Sequence, residues 1–267
     1  MSHRQPPGRL PHTHQPGPRQ NWWRRHWKAI TGFISAVAVA SVSPLIVDAI
    51  RGATNKVVTN VVTRGGKPPF ALTTQVDAPE DAGCRTFAFS SNVRVSVPSP
   101  TEEDLHEWAT RQGGVTADTT TIRLTLQGRS TDSVVLHAIR VGVDARRQAR
   151  GTAYFPHAVG GGCAGIPQRR FTVNLDSPQP SAVPSAGYDG SAVDFPYRIS
   201  STEPEVIVVQ VDTEKCDCSF HLDLDWTSGE REGTLRIRDG KQPFRVIGSQ
   251  QLPFFQLDTN GHWTPSG

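Results

Sequence analysis

Two hydrophobic patterns divide the chain. From Ala29 to Val47 the sequence AITGFISAVAVASVSPLIV carries no charge, while beyond about residue 68 apolar and polar positions alternate with period two. At about 1.5 Å per residue the first stretch makes roughly 28 Å of helix, close to the ~30 Å hydrocarbon core of a bilayer, so it is read as a transmembrane helix over 29–47. Arg24, Arg25 and Lys28 close its N-terminal side and Asp48 its C-terminal side, with Trp22, Trp23 and Trp27 where an interfacial aromatic belt would lie. A cleaved signal peptide is the alternative, because Ala38-Val39-Ala40 has the A-x-A form, although the apolar run continues through Pro44-Leu45-Ile46-Val47.

The period-two runs predict strands. VRVSV (Val93–Val97), TIRLTLQ (Thr121–Gln127), RRFTVNLD (Arg169–Asp176) and TLRIR (Thr234–Arg238) have one apolar face, and VVLHAIRVGV (134–143) and EVIVVQV (205–211) are apolar on both or nearly so. Gly128 to Asp132 is predicted to join two strands as a hairpin loop, and Asp239-Gly240 to form a type I′ turn before PFRVI. One helix interrupts them, TEEDLHEWATRQGG from Thr101 to Gly114, with Thr101 as N-cap and Leu105, Trp108 and Ala109 on one face. The predicted fold is mainly β, an antiparallel β-sandwich or related barrel of eight to ten strands with one short helix. It follows the transmembrane helix and a disordered tail. The divisions are a basic tail over 1–28, the transmembrane helix over 29–47, a juxtamembrane linker over 48–68, the β domain over 69–250, and a C-terminal tail over 251–267.

Charge orients this arrangement. The chain's net charge is +3, and Arg4, Arg9, Arg19, Arg24, Arg25 and Lys28 supply +6 with no acidic residue in the head, so the remainder is 3 − 6 = −3. The positive-inside rule then places the N-terminus in the cytoplasm and the β domain outside the cell. A body of slight negative charge does not suit phosphate backbones, which sets nucleic acid aside as a partner. His12 and His14 lie in a Pro- and Gln-rich head and are read as part of a solvated tail rather than a metal tract.

Candidate chemistry concentrates in CDCSFHLDLDW. Alternation there puts Cys216, Cys218, Phe220, Leu222, Leu224 and Trp226 on the core face and Asp217, His221, Asp223 and Asp225 on the other. The outward row is the densest ionisable cluster of the body: His221, Asp223 and Asp225 are the candidates for a metal or an acid–base site, against the plain reading of a solvated strand face. Cys84, Cys163, Cys216 and Cys218 all follow the apolar segment, as disulfides outside the cytoplasm would. Long-range bonds involving Cys84 and Cys163 are preferred, since cysteines at i and i+2 pair only if the strand distorts; a Cys₄ zinc site is the alternative. His137 falls on the apolar side of its strand and reads as a core histidine.

No G-x-S-x-G elbow, P-loop or dinucleotide fingerprint is present, and His106-Glu107 lacks the second histidine of a zinc-protease helix, with Thr110 in its place. No cofactor is implied. Taken together, LTLQGRS, VVLHAIRV, GGGC, FPYRIS, EVIVVQV, CDC, LDLDWTSG and PFRV, spread from Ala71 to Ile247, resemble a family of actinomycete proteins that pair an N-terminal membrane segment with a β-rich domain. The resemblance implies architecture and compartment and assigns no functional residue. The expected function is a non-catalytic, membrane-anchored extracytoplasmic module for an unknown protein or cell-envelope ligand. The alternatives are a transmembrane sensor, or an extracytoplasmic hydrolase or metal-binding protein using the His221, Asp223 and Asp225 face.

Overall fold

The computed structural model describes residues 63–64, 66–78, 85–99, 104–156, 169–186 and 191–266, all within one compact unit, Asn55–Gly267. The predicted tail over 1–28, the apolar segment over 29–47, Thr101, Cys84 and Cys163 lie outside the described residues. Among the described residues no helix is long and apolar enough to cross a membrane.

The strands in chain order are β1 (Thr63–Arg64), β2 (Phe70–Val76), β3 (Thr86–Phe89), β4 (Val115–Ala117), β5 (Thr119–Gly128), β6 (Val134–Gln148), β7 (Thr152–Phe155) and β8 (Arg169–Asn174). They continue with β9 (Val183–Ser185), β10 (Tyr197–Ile199), β11 (Glu205–Asp212), β12 (Cys216–Ser228), β13 (Arg231–Ile237), β14 (Phe244–Ile247), β15 (Phe254–Leu257) and β16 (Trp263–Pro265). Among the described residues one short helix, α1 (Leu105–Arg111), stands between β3 and β4. The described residues are mainly β, as the alternation predicts, but they form sixteen strands rather than eight to ten, several of them only two to four residues long.

They form two mixed sheets, and neither closes into a barrel. The smaller runs β2-β5-β11-β8-β9, and the larger is built on β12, with β6 along one side and β13, β14, β4, β3, β7, β15 and β16 spreading from the other. Most pairs are antiparallel, but β8 with β11, β4 with β14 and β7 with β15 are parallel, which corrects the expectation of a wholly antiparallel fold. The segment set apart as a C-terminal tail carries β15 and β16 of the larger sheet, and the linker carries β1, which pairs with β13.

One apolar core draws on both sheets. Leu124, Phe171 and Val209 of the smaller sheet and Leu136, Leu224 and Trp226 of the larger belong to it, all at or below 1% exposure. The Trp226 ring meets Phe70 edge to face at 6.1 Å. A second cluster joins Phe87, Phe89 and Val95 to Leu105, Trp108 and Ala109, the helix face read from the sequence. The N-cap of α1 is Asp104, whose carboxylate accepts from the Glu107 amide at 2.8 Å, three residues beyond the expected Thr101.

Three further expectations fail because alternation specifies a face without specifying a partner. Gly128 to Asp132 is no hairpin, since β5 lies in the smaller sheet and β6 in the larger. Asp239-Gly240 turns, with Gly240 at φ 65° and Asp239 bridged to Gln242, yet β13 and β14 do not pair with each other. They follow one another in the same direction along a single edge of β12, at Leu222–Ser228 and Asp217–Phe220. Val93–Val97 forms no strand; Val95 is buried in the second cluster, and the backbone N–H of Ser96 is bonded to the Gln112 side chain at 2.8 Å.

Candidate functional site

The outward row of β12 is where chemistry is densest, and its geometry is set by the ladder with β6. Two bulges interrupt that ladder: Asp144 is the extra residue between the Ser219–Ala145 and Phe220–Val143 pairs, and His137 the extra residue between Asp225–Ala138 and Trp226–Leu136. The second bulge turns His137 to the surface, where its Nε2 lies 2.8 Å from the Thr227 hydroxyl, so it is not the core histidine expected.

The first bulge carries Asp144 to His221, whose Nδ1 it meets at 3.0 Å. His221 is outward in register, yet only 8% exposed, which corrects the reading of a solvated residue. Its ring drops into the space left by the missing side chain of Gly142, directly across the ladder; a Cβ there would lie 2.3 Å from Nε2.

Arginines from the neighbouring strands hold the other members of the row. Asp217 takes both Nε and NH2 of Arg245, at 2.7 and 2.8 Å, and Asp223 takes both of Arg236, at 2.9 and 3.0 Å. Asp225 accepts from Arg140 at 2.7 Å and from the Thr234 hydroxyl at 2.6 Å. Burial works to raise the pKa of Asp223, but the Arg236 hydrogen bonds and charge outweigh it and hold the carboxyl below its ordinary value. His221, Asp223 and Asp225 are thus brought onto one face. Their polar atoms are engaged within it, and no three His, Cys, Asp or Glu side chains among the described residues converge to hold a metal ion.

On the core side, Cys216 and Cys218 stand at disulfide distance, with Cα atoms 5.3 Å apart, rather than each reaching a distant partner.

Where β12 begins, the outward face of the larger sheet, beside Asp217, opens into a recess of about 590 Å³. It is lined by Phe89, Val115 and Ile247 and by Arg147, Arg150 and the Asp217–Arg245 pair.

A buried polar centre lies elsewhere. Asp77, just past β2, is 1% exposed and adopts φ 46°. It accepts from the Thr116 hydroxyl at 2.6 Å and the Thr121 amide at 2.8 Å, with Arg85 at 3.4 Å and His106 Nδ1 at 3.3 Å. Burial pushes this carboxyl up; the His106 hydrogen bond and the Arg85 charge overcome it and hold the pKa below the ordinary value. Burial likewise opposes the His106 imidazolium, while its bond and attraction to Asp77 leave the pKa raised. His106, dismissed as a failed protease motif, is thus a structural partner. Asp77, Arg85, Asp144, Arg236 and Arg245 escape sequence reading because each acts through a residue far along the chain, such as Thr121 for Asp77 and His221 for Asp144. No protein-family model matches the chain, and no curated protein does.

Proposed function

We propose that the chain is a non-catalytic binding module, a β-sandwich formed by the two sheets and held at the outer face of the cell membrane by the segment over 29–47. The observation that carries the non-catalytic part is the engagement of the β12 row. A general base needs an accessible lone pair within hydrogen-bond reach of the proton it takes. His221 Nδ1 is committed to Asp144, its Nε2 edge lies over Gly142, and the three aspartates of the row are bonded to arginines. The membrane part rests on sequence, through the uncharged nineteen residues and the six basic charges before them.

Chemical crosslinking on intact cells with the full-length chain, followed by mass spectrometry, tests this reading. A binding module at the outer surface is captured by a membrane-impermeant crosslinker together with a saturable partner. Protection from that reagent, or turnover of an ester, peptide or glycoside that is lost on Asp144→Asn substitution, would refute it.

A further inference from the structure

We propose that the recess at the start of β12 binds a small amphipathic anion, a phosphate or carboxylate group carried on an apolar body. The inference rests on the reading of the domain as a binding module and names the class of ligand. Its first support is charge. Three guanidinium groups, Arg147, Arg150 and Arg245, face one carboxylate, Asp217, so the lining carries 3 − 1 = +2.

The distribution of partners sharpens this. Arg140, Arg236 and Arg245 of the same sheet each hold an aspartate, whereas the side chains of Arg147 and Arg150 have no hydrogen bond or ion pair with any described residue. Arg147 stands directly across the ladder from Asp217, the one carboxylate within the lining, yet Arg245 occupies both oxygens of that group. Two cations therefore remain at the recess with their fork donors open, the arrangement that phosphate and carboxylate fit.

Its other supports are shape and rigidity. A volume of about 590 Å³ is that of a small-molecule site, and half-buried Val115 supplies apolar surface on which the body of a ligand can rest. Gly151 adopts φ 124°, and a Cβ on it would stand 2.2 Å from the Phe89 carbonyl oxygen, so the turn carrying Arg150 sits closely on β3. The backbone that carries Arg150 is therefore fixed at the rim of the recess, while its exposed side chain is free to close on a ligand. Two open guanidinium groups at a single recess suit one anionic group rather than a polymer backbone.

The test is calorimetric titration of the full-length chain with phenyl phosphate, benzoate and benzyl alcohol, which share an aromatic body and differ in charge. Saturable binding of an anionic probe is expected, with the alcohol at least about tenfold weaker, and the stronger of phosphate and carboxylate identifies the group preferred. Arg147→Gln with Arg150→Gln is expected to weaken binding by about tenfold or more. Arg129→Gln with Arg198→Gln, the same charge change at exposed positions outside the recess, should leave it unchanged. An unshifted thermal midpoint in both variants shows that folding is intact. Equal binding of the alcohol, no binding of either anion, or equal loss in the two double variants would overturn the proposal. Release of phenol from phenyl phosphate would overturn the non-catalytic reading instead and leave the anion site standing, so the two failures are told apart.

Discussion

Asp77→Asn is the most informative perturbation of this fold, because it removes a charge while leaving shape and backbone nearly intact. Asparagine tolerates the left-handed φ of 46° about as well as aspartate, so backbone strain does not confuse the outcome. What changes is the environment of Arg85. Its side chain is 8% exposed and keeps its bonds to the Thr119 carbonyl at 2.6 Å and to the Thr121 hydroxyl, but it loses its one opposite charge among the described residues. Breaking a buried pair by removing one partner costs roughly 3 to 5 kcal/mol, and the surviving bonds of Arg85 place this case near the lower end. An amide also keeps a single acceptor oxygen, which the Thr121 N–H requires, so the bond that the Thr116 hydroxyl now donates to the second carboxylate oxygen is lost or must reverse. About 3 kcal/mol is a large part of the 5 to 15 kcal/mol typical of a domain. Urea denaturation of the full-length chain at neutral pH, followed by tryptophan fluorescence, measures it. A loss under about 1 kcal/mol would refute the argument, as would failure of Asp77→Asn with Arg85→Met to recover a substantial part of it.

The same network sets a pH dependence. The lowered pKa of Asp77 contributes stability above the ordinary carboxylate value of about 3.9, lost as pH falls through the lowered folded value, while the raised pKa of His106 contributes below about 6.5, lost as pH rises through its folded value. The contribution is greatest between those limits, and His106→Gln should flatten the decline from pH 6 to 9; an unchanged slope assigns that decline to other groups. Trp226→Ala should cost about 3 to 5 kcal/mol in the same denaturation assay, since a ring at 1% exposure leaves a cavity beside Phe70; a value under about 1 kcal/mol would contradict its place in the core. Gly142→Ala should destabilise by about 1 to 3 kcal/mol through collision with the His221 ring. His221→Ala in the same chain should relieve that part, and independent, additive losses would count against the contact. Carbonate washing of membranes should leave the full-length chain in the pellet if the segment over 29–47 is an uncleaved anchor, and its release would remove the anchor from the proposal.

Much of the local structure was legible in the residues. The alternation from Cys216 to Trp226 names the buried face of β12 without error, and Leu105, Trp108 and Ala109 are the buried face of α1, because side-chain period follows from backbone geometry alone. The segments from Thr121, Val134, Arg169, Glu205 and Thr234 are strands for the same reason. Partnership was not legible. A short polar link after β5 reads as a hairpin, yet the chain crosses there to the other sheet, where Val134 and Leu136 enter the core shared with Leu124 and Leu126. His221 has the outward phase of its strand and is buried all the same, through a glycine 79 positions earlier and a bulge that only the β6–β12 register creates. Asp77 and Arg85 resemble any surface charges until Thr116, Thr119 and Thr121 close around them. Period determines which way a side chain points. What it meets there is decided by strands brought together across long stretches of chain, where burial makes each polar group depend on its partners.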